Sequence, residues 1–220
     1  VLPALTAIAT LAALVMALVG APTERTMGDV PRIFYFHVAV AWVGMLAFAV
    51  SFGLGIVYLR SARWQVDCWA RASTEIGALF ALLTLITGSF WARPVWNTWW
   101  TWDPRLTTSL ILWFIFTAYL ILRASVERKS KRAAYCAVMA VVGFADVPVV
   151  FLSARLWRTI HPVVIRSDSI DMAPAMIKTL LVCMLAFAFL WGLLFASRTS
   201  TLNMERKIGT LEKQLYGESS

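Results

Sequence analysis

The chain has 220 residues, of which 60% are hydrophobic and only 15% are charged. A soluble globular domain carries about 25% charged residues, so this composition excludes an ordinary soluble domain and indicates a membrane protein. The net charge of +8 is typical of basic loops that fix orientation in a membrane, and we expect no nucleic-acid partner. Long apolar runs, in place of short alternating segments, favour an all-α polytopic membrane protein over a β-barrel.

Six apolar stretches approach the roughly 20 residues that a transmembrane helix needs. In chain order, we predict transmembrane helices at residues 3–20, 33–59, 74–92, 107–123, 134–153 and 174–197. They form one predicted membrane domain over residues 1–200. Residues 201–220 are predicted to be a cytoplasmic tail, in which Ile208, Leu211 and Leu215 have the spacing of a short amphipathic helix.

Lysine and arginine are distributed unevenly between the two sides of this arrangement. Twelve lie on one side: Arg60, Arg63, Arg71, Arg123, Arg128, Lys129, Lys131, Arg132, Arg198, Arg206, Lys207 and Lys213. Seven lie on the other: Arg25, Arg32, Arg93, Arg105, Arg155, Arg158 and Arg166. Because basic loops stay in the cytoplasm, both termini are predicted to be cytoplasmic, and loops 21–32, 93–106 and 154–173 to lie outside a bacterial inner membrane.

Ionisable side chains within a transmembrane helix call for a structural or functional reason. Asp146 lies inside the fifth predicted span at a depth similar to that of Lys178 in the sixth, which predicts a buried ion pair. Pro148 is expected to loosen the helix near Asp146. Glu75, at the start of the third predicted span, is assigned to helix capping.

Three cysteines, Cys68, Cys136 and Cys183, lie in separate segments without a Cys-x-x-Cys pair. This pattern argues against a thiol-redox centre or a zinc site. We therefore expect the three cysteines to be structural.

Tryptophan is concentrated after the third span, where five of the eleven tryptophans fall within twelve residues: Trp91, Trp96, Trp99, Trp100 and Trp102. At 100° per residue the last four share an arc of about 160°, which predicts a helix lying flat on the membrane surface. An aromatic belt scatters its residues over many helix ends, whereas this one loop carries five, followed by Asp103 and Arg105. We therefore predict a flat aromatic platform for a planar ligand at about residues 91–107.

The string WNTWWTWDPRLT, from Trp96 to Thr107, resembles the WWD signature of the haem-handling proteins of cytochrome c biogenesis. The six-span length, with a histidine-bearing segment on either side of the signature, is similar to the CcmC family of haem-delivery proteins over essentially the whole chain. Two positions depart from the family pattern: Asn97 stands where glycine is usual, and Ala39 where proline is common. Asparagine tolerates positive φ well, so Asn97 is expected to preserve the turn.

The resemblance implies that the chain binds haem b and that His37 and His161, its only two histidines, are the axial iron ligands. The predicted orientation places both on the outer face, and two neutral imidazoles give a six-coordinate iron. A histidine at a membrane end is more often an interfacial hydrogen-bonding residue, but the signature favours ligation here. The other predicted cofactor-binding residues are Trp96, Trp99, Trp100, Trp102, Asp103 and Arg105.

Arginine suits the two haem propionates because its guanidinium can donate two parallel hydrogen bonds to a carboxylate. The nearest outer arginines in the sequence are Arg32, Arg105 and Arg158, and we select Arg105. Asp103 has two open interpretations, which are capping of the fourth helix, with Pro104 in its first turn, and contact with a partner.

The chain has no Gly-x-x-x-x-Gly-Lys-Ser/Thr loop, so it cannot couple ATP to transport by itself. The resemblance implies an ABC transporter with CcmA- and CcmB-like subunits, a small single-span CcmD-like subunit, and a CcmE-like haem chaperone as recipient, in addition to membrane lipid. We expect a binding and delivery protein, not an enzyme. The alternatives are a haem lyase, a dihaem electron-transfer subunit with four axial ligands, and a haem-translocating permease with a polar path.

Overall fold

The computed structural model describes residues 1–23, 28–30, 32–161 and 172–217, with the side chain of Tyr216 excepted. Its helices are α1 (Leu2–Val15), α2 (Arg32–Ser61), α3 (Trp64–Trp96), α4 (Pro104–Ser125), α5 (Lys129–Gly143), α6 (Asp146–Leu156) and α7 (Pro174–Tyr216). A π-helical turn, Met16–Gly20, extends α1. Within the described residues, six spans are long and apolar enough to cross a membrane, which confirms the predicted all-α, six-span fold.

The first and third predicted outer loops, 21–32 and 154–173, lie partly outside the described residues. These undescribed positions include Arg25 and Arg166, which were counted in the predicted charge asymmetry.

The fifth span consists of two helices, α5 and α6, because the chain turns at Phe144 and Ala145. Pro148 explains this break, since proline lacks an N–H and its ring clashes with the carbonyl four residues earlier, at Phe144. The expected loosening near Pro148 is therefore confirmed.

The predicted Asp146–Lys178 ion pair is wrong: the described residues contain no such salt bridge, and Asp146 Oδ2 has no hydrogen-bond partner among them. The reason is that α6 packs mainly on α4, whereas Lys178 belongs to α7.

Helices α2 and α3 form the most extensive contact of the bundle. Small residues allow this close approach: a Cβ on Gly77 would lie 2.7 Å from the Phe48 ring, and one on Gly44 would lie 3.2 Å from Phe80 Cβ. Glycine at such contacts is a common device of membrane helix packing. The start of α2 and the end of α3, which carry much of the candidate site, are thereby held side by side.

Two helices extend by ten residues or more beyond their predicted ends. Helix α3 begins at Trp64 and not at residue 74, and α7 continues to Tyr216 and not only to residue 197. Glu75 consequently lies inside α3, so its predicted capping role is wrong. Its carboxylate accepts hydrogen bonds from Arg71 Nε at 2.8 Å and from Arg198 Nε at 2.5 Å, and it thereby joins α3 to α7.

The three cysteines are buried free thiols, as expected of structural residues. Cys183 packs among α1, α2 and α7, Cys68 among α3 and α7, and Cys136 against Tyr119 of α4. At the same end as Cys68 and Cys136, Arg123 of α4 forms a buried ion pair with Asp67 of α3.

Candidate functional site

His37 lies near the start of α2, with only 8% of its surface exposed. Its Nδ1 is 3.0 Å from the Thr87 hydroxyl of α3. Thr87 donates its own proton to the Leu83 carbonyl at 2.7 Å, so it accepts the hydrogen bond from His37 Nδ1–H. This tautomer leaves Nε2 unprotonated, which is the state that a metal-binding imidazole requires.

One face of α3 shapes the surroundings of His37. A Cβ on Gly88 would lie 3.0 Å from His37 Cε1, so glycine leaves the space that the imidazole occupies. Thr84, Thr87, Gly88 and Trp91 follow the i, i+3, i+4, i+7 spacing of a single helix face. Helix α3 therefore both orients His37 and contributes the ring beside it.

The Trp91 ring lies close to both histidines. Its ring centroid is 6.2 Å from that of His37 and 6.1 Å from that of His161, so the two imidazole centroids are at most 12.3 Å apart. Trp96 lies 5.7 Å from Trp91 and 6.4 Å from His161. The structure therefore brings both predicted ligands together. Trp91 belongs to the predicted platform segment but was not among the predicted cofactor-binding residues, and Thr87 and Gly88 were in neither set. The helical spacing of the three was a signal that could have indicated them.

The segment that carries the WWD signature is not the predicted surface helix. Helix α3 continues through Trp96 and ends at Asn97, and residues 97–103 are non-helical. Asn97 adopts the left-handed conformation with φ +54°, which confirms the expectation that it preserves the turn. Arg93 Nη1 donates to the Asn97 carbonyl and to its Oδ1, both at 2.7 Å, and Thr98 donates to the Trp100 carbonyl at 3.0 Å. Side-chain hydrogen bonds thus replace helical ones in this turn.

The turn divides the tryptophans into two sets. Trp96 and Trp100 line a cavity together with Trp91. Trp99 and Trp102 are 54% and 76% exposed and do not line it. The four predicted platform residues therefore do not share one face.

Asp103 connects the tryptophan segment to the loop of His161. It caps α4, where its Oδ1 accepts a hydrogen bond from Arg105 N at 2.9 Å, and the capping interpretation is confirmed. The same carboxylate accepts hydrogen bonds from Thr159 Oγ1 at 2.8 Å and from Ile160 N at 2.9 Å. Thr159 Oγ1 in turn accepts from His161 N at 3.0 Å. The buried Asp103 carboxylate therefore fixes the backbone of the segment that carries His161.

A cavity of about 100 Å³ lies at this end of the bundle, between α2, α3, α4 and α6. The residues that line it include His37, Gly88, Trp91, Trp96, Trp100, Arg105, Phe151 and His161. Ligand pockets typically measure about 300–1,000 Å³. A haem therefore fits only if these rings move apart or if part of the ligand stays exposed.

Two of the cavity-lining groups are hydrogen-bond donors that have no partner among the described residues. The half-buried guanidinium of Arg105 forms no hydrogen bond or ion pair within the part of the chain that the structure describes, and Trp91 Nε1 is buried without an acceptor there. Unpartnered donors beside a cavity suit a ligand that carries carboxylates.

The other two propionate candidates have different positions. Arg32 donates to Asp29 at 2.8 Å and to the Leu18 carbonyl, which ties α2 to the end of the first span. Arg158 is exposed and does not line the cavity. Of the three candidates, Arg105 is the one that the structure places beside both histidines.

Fold and site together define a six-span helical membrane protein with two histidines gathered around tryptophan at one end of its bundle. Residues 1–214 match the model of the CcmC family, described as heme exporter protein C, and the chain belongs to this family. It is 33% identical to heme exporter protein C of Bradyrhizobium diazoefficiens over 197 residues, which cover 87% of this chain and 74% of the relative. The namesake proteins of Escherichia coli K12 and Haemophilus influenzae are 32% and 29% identical over 199 and 201 residues. These alignments cover 88% of this chain in both cases, and 77% and 80% of the relatives.

Proposed function

We propose that this chain binds haem b at the periplasmic face of the bacterial inner membrane and delivers it to a haem chaperone for cytochrome c biogenesis. The names of its relatives, heme exporter protein C, support haem as the cargo. The observation that carries the proposal is the convergence of both histidines on Trp91, beside Arg105, whose guanidinium has no partner among the described residues.

In this proposal His37 and His161 bind the haem iron from its two sides. The Nε2 lone pair of His37 is available because Thr87 holds the proton on Nδ1. Two imidazoles complete a six-coordinate iron and leave no open position for oxygen chemistry while the haem waits for transfer. Trp96 and Trp100 pack against the porphyrin, and Arg105 binds a propionate.

Trp99 and Trp102 have a different role, because both are exposed next to the cavity-lining tryptophans. We assign them to contact with the recipient chaperone. Aromatic side chains dominate protein interfaces energetically, since they bury a large area with little loss of rotamer entropy. The vinyl edge of the haem would then face the chaperone across these two residues.

In this proposal, partner proteins supply the energy for the transfer of haem to the chaperone. The family name implies an exporter complex, and the proposed partners are CcmA- and CcmB-like ABC transporter subunits and a CcmD-like small subunit. This chain supplies positioning, since holding haem and recipient in a fixed geometry accelerates their reaction without a chemical group of its own.

Passage of haem through the chain itself is less well supported. Below the candidate haem cavity, a space of only about 20 Å³ continues between α2, α3 and α4. Phe48, which lines it, is stacked on Phe116 with ring centroids 3.7 Å apart. This apolar closure favours delivery at one face over translocation across the bundle.

The test is an absorption spectrum of the purified chain with bound haem, compared with those of His37→Ala and His161→Ala. We expect each substitution to abolish the six-coordinate low-spin spectrum, and added imidazole to restore it in part by occupying the emptied position. Trp69→Phe is the matched control, because Trp69 is exposed near the opposite end of α3. If both histidine variants keep the native spectrum, the ligand assignment is wrong.

A further inference from the structure

A second and larger cavity, of about 1040 Å³, lies at the end of the bundle opposite to the histidines. Its walls come from the first turns of α3, the ends of α4 and α5 that meet there, and the last part of α7. Six basic residues line it: Arg71, Arg123, Lys129, Arg132, Arg206 and Lys213. Three acidic residues do so as well: Asp67, Glu205 and Glu212.

Ion pairs within the protein neutralise part of this charge. Asp67 is bound by Arg123, and Glu205 lies 3.5 Å from Arg198. Arg71 is bound to Glu75. These pairs leave little acidic charge facing the cavity.

Four cations remain without a carboxylate among the described residues. Lys129, Arg132 and Lys213 form no ion pair there, and the Arg206 guanidinium lies 4.3 Å above the Trp64 ring. Glu212 is the one lining carboxylate left to oppose them. The cavity is therefore strongly positive, and its complement is an anion.

The position of the cavity indicates where that anion comes from. It opens where one candidate span ends, at Ser125, and the next begins, at Lys129, so we place it at the surface of the hydrocarbon layer. Half-buried Trp64 and buried Leu202 provide apolar surface beside the cations. Basic pockets between transmembrane helices at this level bind acidic lipid headgroups.

We propose that this cavity binds the phosphate headgroup of an anionic phospholipid. The lipid phosphate contacts Lys129, Arg132 and Lys213, while the glycerol and the first acyl carbons lie against Trp64. The bound lipid braces the last part of α7 against α4 and α5. This site is separate from haem binding, because it lies at the other end of the molecule.

The experiment measures retained lipid by native mass spectrometry of the detergent-purified chain after exchange with phosphatidylglycerol or phosphatidylcholine. We compare the triple variant K129Q/R132Q/K213Q with R128Q/K131Q/K207Q. The second set removes the same residue types from the same two helices or their caps, but its positions do not line the cavity. We expect phosphatidylglycerol retention to fall about tenfold or more in the first variant and to stay near wild type in the second.

Equal losses in the two variants would overturn the proposal, because general surface charge would then explain binding. Equal retention of both lipids by the wild-type chain would overturn it as well. Displacement of phosphatidylglycerol by millimolar inorganic phosphate would assign the site to a soluble anion and reject the lipid. The haem absorption spectrum of each variant is the folding control. An unchanged spectrum together with lost lipid separates this site from the proposed haem function.

Discussion

The His37 imidazole and the Thr87 hydroxyl form one hydrogen-bonded unit between α2 and α3. A hydrogen bond from the distal ring nitrogen fixes the tautomer and raises the basicity of the coordinating nitrogen. A more basic imidazole stabilises ferric over ferrous haem. In the proposed haem site, Thr87 would therefore act on the iron through His37, as a positioning residue.

Replacement of Thr87 by valine keeps the shape of the side chain and removes the acceptor. We expect haem affinity to fall by about 10- to 100-fold and the midpoint potential of the remaining bound haem to rise. Spectroelectrochemical titration measures both effects. Thr87→Ser retains the hydroxyl and should behave like wild type, whereas an unchanged potential in Thr87→Val would contradict the assigned tautomer.

The residue types that carry the proposed chemistry were predictable from the sequence. Both histidines and Arg105 line one cavity. Their proximity was predictable because the tryptophan signature and the topology together placed them at one end of the bundle. The helical spacing of Thr87 and Gly88 indicates that they share a face of α3 with Trp91, but their contact with His37 across two helices was not predictable. Such contacts depend on helix rotation, which one sequence does not specify.

At the scale of elements, Asp103 joins two loops that are distant in sequence. Its oxygens accept hydrogen bonds from the start of α4 and from the segment at Thr159 and Ile160. Because both segments carry site residues, the carboxylate sets the distance between the tryptophan turn and His161.

Asp103→Asn should weaken the attachment of this segment, because an amide nitrogen cannot accept the hydrogen bond that Ile160 N–H now donates. A buried unsatisfied donor costs about 1–3 kcal/mol. We expect His161 to leave the iron in part of the molecules while ligation by His37 persists. The haem spectrum should then contain a five-coordinate high-spin fraction. Asp29→Asn is the control, since the Asp29 carboxylate is exposed and pairs with Arg32. A fully low-spin Asp103→Asn spectrum would contradict this role.

Element boundaries were predictable only where hydropathy and helix ends coincide. Spans beginning at residues 33 and 174 agree with the structure within a residue, because apolar runs begin there. Helix α3 begins earlier than predicted because its first turns, with Asp67 and Arg71, are polar helix outside the apolar run. The prediction of a helix lying flat on the membrane at residues 96–102 was wrong, because α3 ends at Asn97 and the residues that follow are non-helical. The helical periodicity of the tryptophans was accidental.

At the scale of the whole molecule, the two ends of the bundle differ in chemistry. One end has the histidines and the tryptophan turn, and the other has the basic cavity. Positive residues are retained on the cytoplasmic side, so this division supports the proposed orientation with the haem site outside.

Labelling of single cysteines tests the orientation. Arg158 and Lys131 are exposed at opposite ends of the bundle, and the three native cysteines are buried, so background labelling should be low. In intact bacterial cells, a membrane-impermeant maleimide should label Arg158→Cys. Lys131→Cys should react only after the membrane is permeabilised. The reverse pattern would place the candidate haem site in the cytoplasm.

Helix α7 extends without interruption from Pro174 to Tyr216, and its Arg198 is bound to Glu75 of α3. At 1.5 Å per residue, about 36 Å of helix lies on one side of this ion pair and about 27 Å on the other. The same helix packs against α1 and α2 as well as α3. One continuous element therefore runs from the histidine end of the bundle to the wall of the basic cavity, so a rotation of α7 about its own axis would be felt at both ends.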